Sequence, residues 1–182
     1  MSHDHADGHA DDHVHDPACA AAHGQSTPEP QDRRLVLVFA SPVADELAVL
    51  AGRLGWTTVL LDPDPSRLGA TRCLTVTSVP AAQLTSEVDV VLCDHGRDEL
   101  GDVLAEVLSG PFRWVGVMGS LRHTAPHVDA LRTRGLTEES IARVHRPIGL
   151  DIGSHTPPEI ALSTLAGLVA DRNGRTGGVF RS

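Results

Sequence analysis

The chain has 182 residues and a formal net charge of −9, from 24 acidic and 15 basic side chains. That length suits one domain of ordinary size with a real hydrophobic core. Residues 1–32 carry seven acidic side chains and no Lys or Arg, so the remainder is close to balanced and lacks the basic surface of a nucleic-acid-binding protein. The sequence has no lysine and no tyrosine, which excludes a Walker-type phosphate lysine, Schiff-base chemistry and a tyrosine general acid.

Hydropathy and cysteine usage indicate the compartment. No apolar run is long enough to span a membrane, and the amino terminus lacks the basic and apolar regions of a signal peptide. We therefore expect a cytoplasmic protein without a membrane partner. Cys19, Cys73 and Cys93 are odd in number and widely spaced, which predicts reduced thiols and not a disulfide framework.

The first 32 residues are rich in His, Asp, Ala, Gly and Pro and have no apolar periodicity, which predicts a disordered tail. Its imidazole and thiol groups stand among carboxylates and suit a divalent metal such as zinc, nickel or copper. These groups are His3, His5, His9, His13, His15, Cys19 and His23. A native metal reservoir and a solubilising tail with adventitious affinity are both open interpretations, and the loose spacing favours weak binding.

Along the rest of the chain, short apolar runs alternate with segments of helical periodicity. "RLVLVFA" predicts a strand buried on both faces, and apolar residues then recur at helical spacing over 43–54. Further strands are predicted in "TTVLLD", "CLTVTSV", "VDVVLCD" and "RWVGVMG", and further helices at 98–108, at 126–134 and after Thr137. This alternation is typical of βαβ units. It predicts a doubly wound, mostly parallel, Rossmann-like α/β domain at 33–174, followed by a carboxyl-terminal tail at 175–182.

The segment after the first strand bears on dinucleotide binding. A G-x-G-x-x-G turn is expected there, but the chain has Ala40, Pro42 and Asp45 in that stretch and no glycine. Pro42 removes a backbone donor, and Asp45 places a negative charge at the helix start where a phosphate would bind. The sequence therefore predicts poor binding of NAD(P). Asp62 stands where a ribose-binding acid would lie, with an ordinary turn residue as the alternative.

Two later strand ends carry polar side chains at the edge of the sheet where such folds hold ligands. Gly119 and Ser120 permit a tight turn, and Arg122 can bind an anion through two parallel hydrogen bonds. A turn glycine and a solvated arginine are the alternative interpretation. Asp94 and His95 form an acid and imidazole pair after the fourth strand, which suits either general-base chemistry or a hydrogen-bonded loop anchor.

The stretch "PIGLDIGSHTPPE" joins a glycine-rich loop to a helix start. Gly149 and Gly153 allow backbone amides to converge on an anion, while the apolar neighbours of Asp151 are expected to point into the fold and leave the carboxylate outside. Alternatively, Asp151 caps its own loop. Thr156 and Glu159 have the spacing of a capping box, which would fix the helix and hold the preceding loop rigid.

At this point the residues resemble a known family. A strand ending in Gly-Ser-x-Arg, followed by Val-His-x-Pro-Ile-Gly-Leu-Asp-Ile-Gly-x-x-Thr-Pro-x-Glu-Ile-Ala, is similar to the carboxyl-terminal Rossmann domain of the XdhC/CoxI family of xanthine dehydrogenase accessory proteins. The matching stretch runs over 114–174. Its first part supplies Gly119, Ser120 and Arg122, and its second part runs from Val144 to Ala161.

The resemblance implies a protein that binds the molybdenum cofactor (molybdopterin), protects it during sulfuration and delivers it to a molybdenum hydroxylase, such as xanthine or carbon monoxide dehydrogenase. Its partners would be that client enzyme and a cofactor sulfurase, with a homodimer as a candidate assembly. Such a protein is a maturation chaperone more than a catalyst. Two alternatives stay open, an NAD(P)-dependent oxidoreductase and a metal-binding protein that acts through its His-rich tail.

Overall fold

The structure is a computed structural model, and it describes residues 17–23, 32–69, 73–79, 84–119 and 125–178. The chain divides into two units, Met1–Pro30 and Gln31–Ser182. In the first unit, residues Pro17–Ala22 form a helix, α1. The sequence predicted disorder throughout this tail, so the helix was not expected. The rest of that unit, apart from His23, lies outside the described residues, so its disorder stays a prediction.

The second unit is built on a six-stranded sheet in which every neighbouring pair of strands is parallel. The strand order is β3-β2-β1-β4-β5-β6. The strands are β1 Arg34–Val38, β2 Thr57–Leu61, β3 Leu74–Val76, β4 Val88–Leu92, β5 Trp114–Val117 and β6 Val144–His145. The order reverses between β1 and β4, as in a doubly wound nucleotide-binding fold. The predicted Rossmann-like architecture is therefore confirmed.

Helices cover both faces of this sheet. They are α2 Pro42–Arg53 and α6 Pro157–Arg172 on one face, and α3 Leu100–Ser109, α4 Pro126–Thr133 and α5 Glu138–Ala142 on the other. A 3₁₀ turn, Pro65–Arg67, follows β2. Successive side chains of a strand point to opposite faces, so in β4 Val90 packs into the core under α3 while Val91 packs into the core under α2 and α6. This two-sided burial is why the central strands β1, β4 and β5 are mostly apolar.

An ion cluster anchors the end of α6 at the amino-terminal edge of the sheet. The fully buried carboxylate of Asp89, in β4, accepts hydrogen bonds from Arg113 Nε at 2.6 Å and from Arg172 Nε at 2.8 Å. Arg172 also donates to the carbonyl oxygen of Glu87 at 2.6 Å. Because α6 ends at this edge, its first turn lies at the opposite edge, where the strands have their carboxyl ends. Among the described residues, none of the helices has the length and hydropathy that a membrane crossing requires.

Candidate functional site

The loops that follow the strands line a cavity of about 450 Å³ that is partly open to solvent, which we call the strand-end cavity. Its volume is in the usual range for a small-molecule site. Apolar side chains from separate elements form its walls, namely Val43 at the start of α2, Met118 after β5, Ile148 after β6 and Ile160 in α6. Its polar lining comes from Asp94, His95, Ser154 and Thr164. The cavity therefore joins the β4 and β5 ends to the loop before α6.

The loop after β1 borders a second cavity, of about 350 Å³. Here Ser41 caps α2, because its Oγ accepts a hydrogen bond from the amide of Ala44 at 3.2 Å and its carbonyl oxygen accepts one from the amide of Asp45 at 3.1 Å. Pro42 has no amide proton to offer. Few backbone donors remain at this helix start for a phosphate. This shortage of donors is a physical reason to expect weak binding of NAD(P), which stays a prediction.

Asp62, the candidate ribose-binding acid, is fully buried and already engaged. Its carboxylate accepts hydrogen bonds from the amides of Ala40 at 2.9 Å and Asp64 at 3.0 Å, and from both terminal nitrogens of Arg97 at 3.0 Å. Burial alone would raise the pKa of Asp62, but the hydrogen bonds from Arg97 and the two amides outweigh it and lower that pKa. Asp62 therefore makes the hydrogen bond expected of a turn residue, to the amide of Asp64, and its carboxylate is in addition engaged by Arg97 in this conformation.

Asp94 and His95 both line the strand-end cavity, beside the buried thiol of Cys93. Asp94 Oδ1 accepts a hydrogen bond from the amide of Gly96 at 2.8 Å, which fixes the orientation of the carboxylate. Burial, and then the negative charges of Asp94 and Asp45, raise the pKa of Cys93 far above its ordinary value. The thiol stays protonated at neutral pH and is unsuited to nucleophilic chemistry.

At the end of β5, Gly119 lies directly under the guanidinium group of Arg146. A Cβ atom on Gly119 would stand 2.6 Å from Arg146 Nε and 2.7 Å from Nη2, so a larger residue here would require the Arg146 side chain to shift. His127, in the first turn of α4, is 4% exposed, and burial followed by the charge of Arg146 lowers its pKa. Ser120 and Arg122, the other two residues predicted at this strand end, lie outside the described residues.

The loop 149–153 packs against α6. Gly149 has a φ of +88°, and a Cβ atom there would stand 2.5 Å from Ser163 Oγ. The amide of Leu150 donates to the carbonyl of Ser163 at 3.1 Å, and Ser163 Oγ donates to the carbonyl of Leu150 at 2.6 Å. The amide of Ile152 donates to Leu150 as well, so two amides of the expected anion nest are engaged within the protein.

The expectation that both apolar neighbours of Asp151 point inward is wrong for one of them. Leu150 is half-buried, but Ile152 is 52% exposed, because the loop turns at Gly153, where φ is +67°. Asp151 is exposed, as expected. Ile148 and Ser154, which flank this loop, line the strand-end cavity, whereas residues 149–153 are not among its lining residues.

The predicted capping box is confirmed. The Glu159 carboxylate accepts from the amide of Thr156 at 3.0 Å, and the Thr156 side chain accepts from the amide of Glu159. Glu159 also accepts from the amide of His155 at 2.8 Å. Hydrogen bonds from the amides of His155 and Thr156 lower the pKa of Glu159. The helix start beside the cavity is therefore held by several hydrogen bonds.

The predicted metal site of the tail falls almost entirely on residues outside those that the structure describes. His3, His5, His9, His13 and His15 are among the undescribed residues, while Cys19 lies in α1 and His23 is exposed just after it. Within the described ranges, no group of three or more His, Cys, Asp or Glu side chains could hold a metal ion. Weak metal binding by the tail stays a prediction.

Two residues that contribute to this edge of the sheet were not predicted from the sequence. Arg97 follows β4, and nothing in the neighbouring sequence shows that its side chain reaches Asp62, which is 35 residues earlier. Arg146 precedes the glycine-rich loop, and its contact with Gly119 depends on the pairing of β5 with β6. The one available signal for Arg146 was the lack of a side chain at Gly119.

Comparisons with known proteins agree with this architecture. A family model described as the XdhC Rossmann domain matches residues 35–168. The uncharacterized protein YqeB of Escherichia coli K12 is 31% identical over 157 residues, which is 81% of this chain and 29% of that protein. A crystal structure of a xanthine dehydrogenase from Bacillus halodurans, at 2.80 Å resolution, matches with a TM-score of 0.63 and 23% identity, over 79% of this chain and 44% of that one. The chain thus spans less than half the length of either protein.

Proposed function

Because the chain belongs to the XdhC Rossmann domain family, we propose that it binds the molybdenum cofactor and delivers it to a molybdenum hydroxylase of the xanthine or carbon monoxide dehydrogenase type. The cofactor is cargo in this role. A cofactor sulfurase would be the second partner, because sulfuration precedes delivery. The observation that carries the proposal is the strand-end cavity, which lies at the edge of the sheet where doubly wound folds hold their ligands.

The residues of the cavity suit a pterin that carries a phosphate. The ring is flat, and Val43, Met118, Ile148 and Ile160 offer apolar walls. The ring also has N–H groups, for which Asp94 is an acceptor. At the β5 end, Arg146 supplies a positive charge over Gly119, which suits the phosphate.

The role proposed for this site is binding and protection, with no chemical step assigned to the chain. Cys93, the thiol beside the cavity, is buried and its pKa is raised, so it is a poor nucleophile. The walls come from α2, α6 and two strand ends, and the capping box fixes the first turn of α6. A rigid cavity of this kind favours holding a reactive cofactor away from water.

An NAD(P)-dependent oxidoreductase is less well supported by the same edge of the sheet. The carboxylate that would hold a ribose is engaged by Arg97. The start of α2, where a pyrophosphate would lie, is capped by Ser41 and carries Asp45 in its first turn. Both features oppose a dinucleotide.

The proposal is tested by purifying the chain from cells that make the molybdenum cofactor. We expect molybdenum by mass spectrometry and pterin by fluorescence after oxidation, in about equal amounts. Ile160→Trp, which fills the cavity, should remove both. Leu162→Trp is the matched control, because Leu162 lies in the same helix but is 53% exposed. Wild-type protein without bound pterin, or equal retention by the two folded variants, would contradict the proposal.

A further inference from the structure

We infer that Asp94 recognises the 2-amino-4-oxopyrimidine edge of the ligand, an edge that pterins share with guanine. The inference rests on the proposed function and deepens it, because it names the residue that selects the ring and the end of the cavity where the ring lies. It starts from one feature of the strand-end cavity. Among the described residues that line it, Asp94 is the single carboxylate, and it stands among apolar walls.

The chemistry of this edge matches a carboxylate. A pterin presents two donors side by side, the N3–H group and the 2-amino group, and a carboxylate presents two acceptor oxygens side by side. Two parallel hydrogen bonds to a charged group are stronger and more selective than bonds to a neutral one. The hydroxyls of Ser154 and Thr164 cannot offer a paired acceptor of this kind.

The backbone prepares Asp94 for this role. The amide of Gly96 donates to Oδ1 at 2.8 Å, which orients the carboxylate and still leaves each oxygen able to accept another hydrogen bond. Asp94 is half-buried, so a hydrogen bond to it competes less with water than one at an exposed carboxylate would. Asp151 is exposed and does not line the cavity, which makes it the weaker candidate.

Charge then sets the direction of the ligand. Asp94 lines the cavity at the end of β4 and repels a phosphate. Arg146 is not a lining residue, but its guanidinium group lies against Gly119, which lines the cavity at the end of β5, and its positive charge attracts a phosphate. Neighbouring strands are about 4.8 Å apart. The ring edge therefore lies toward β4 and the anionic arm toward β5 and β6.

The test is a change of ring preference. In Asp94→Asn, the amide of Gly96 keeps the side-chain oxygen at the Oδ1 position and places the new NH₂ group at the Oδ2 position. That pair of one donor and one acceptor fits lumazine, which has a 2-oxo group where pterin has a 2-amino group. Titrations monitored by ligand fluorescence use pterin-6-carboxylate and lumazine-6-carboxylate. We expect the wild type to prefer the pterin, and D94N to bind it about tenfold to a hundredfold more weakly while binding the lumazine at least as well as the wild type does.

The control is Asp98→Asn, the same substitution at an exposed position of the same loop, which should keep the wild-type preference. A wild type that does not distinguish the two rings, or a D94N variant that keeps the pterin preference, overturns the inference. If D94N does not fold by circular dichroism, the preference of the wild type decides. A parallel titration with GMP shows which kind of ligand carries the edge that Asp94 binds. Tighter binding of GMP than of the pterin would indicate a guanine nucleotide as the ligand.

These outcomes are separable from those for the proposed function. Molybdenum and pterin that copurify with D94N at wild-type levels, together with an unchanged ring preference, leave the proposed function standing and remove the role of Asp94. A wild type that selects the pterin ring but never copurifies with molybdenum would contradict the proposed function and leave ring recognition by Asp94 standing.

Discussion

Arg97 holds the carboxylate of Asp62 with both terminal nitrogens, each at 3.0 Å, across the loops that follow β4 and β2. The side chain of Arg97 is 7% exposed and that of Asp62 is fully buried. Arg97 also donates to Glu99 at 3.0 Å and lies 4.8 Å from the centre of the Phe39 ring. The guanidinium group therefore fills the space in front of the acid that a dinucleotide-binding fold would use for a ribose.

We expect Arg97→Met to destabilise the protein by about 3 to 5 kcal/mol, because it leaves the buried charge of Asp62 without its ion partner. The measurement is the free energy of unfolding in urea. Arg67→Met is the matched control, since Arg67 pairs with Asp64 at 3.4 Å on an exposed turn nearby. That change should cost less than about 1 kcal/mol. Equal losses of unfolding free energy in the two variants would show that the buried ion pair stabilises the protein no more than the exposed one does.

NAD(H) should bind with a dissociation constant weaker than about 1 mM, a free energy of only about −4 kcal/mol. The reasons are the occupied carboxylate of Asp62, the Ser41 cap at the start of α2 and the negative charge of Asp45. Isothermal titration calorimetry at neutral pH measures this directly. Affinity in the micromolar range would mean that Arg97 moves aside for the ribose.

The strand and helix pattern could be predicted because each element carries its own signal. Strands buried on both faces are almost continuously apolar, as in "VDVVL", and Thr156 and Glu159 have the spacing of a capping box. Strand β6 was not predicted because two residues are too few for any periodicity. The partner of Asp62 was not predictable either, because that contact depends on how β1, β2 and β4 are ordered in the sheet.

The glycines of the loop before α6 show a subtler limit. The sequence indicated only that Gly149 and Gly153 allow backbone amides to converge on an anion, and in the structure both glycines have a positive φ. It could not show that Gly149 is also required for contact with α6, since Ser163 and Gly167, its neighbours there, follow it by more than ten residues. The presence of a glycine in the sequence indicates conformational freedom at that position but does not show which atoms surround it in the fold.

These two glycines give a matched pair of substitutions. Gly149→Ala should cost about 2 to 5 kcal/mol, because φ is +88° and the new Cβ atom would lie 2.5 Å from Ser163 Oγ and 3.0 Å from the amide nitrogen of Thr164. Gly153→Ala should cost about 1 to 2 kcal/mol, since φ is +67° but no heavy atom lies within 4 Å. Thermal unfolding of both variants tests the difference. A loss at Gly153 as large as that at Gly149 would remove the argument from close packing.

Stability should also depend on pH through His127. Its pKa is lowered from an ordinary value of 6.5, first by burial and then by the positive charge of Arg146. Below pH 6.5 the unfolded chain binds a proton at this residue while the folded protein resists it. The contribution of neutral His127 is therefore fully present above that pH and is lost as pH falls through the folded pKa, with a slope of at most about 1.4 kcal/mol per pH unit.

Urea unfolding of the wild type and of His127→Gln between about pH 7.5 and pH 5 measures this pH dependence, because above that lower limit most carboxylates stay ionised. We expect the wild type to lose stability more steeply than the variant. Parallel pH profiles would show that protonation of His127 is not resisted by the fold.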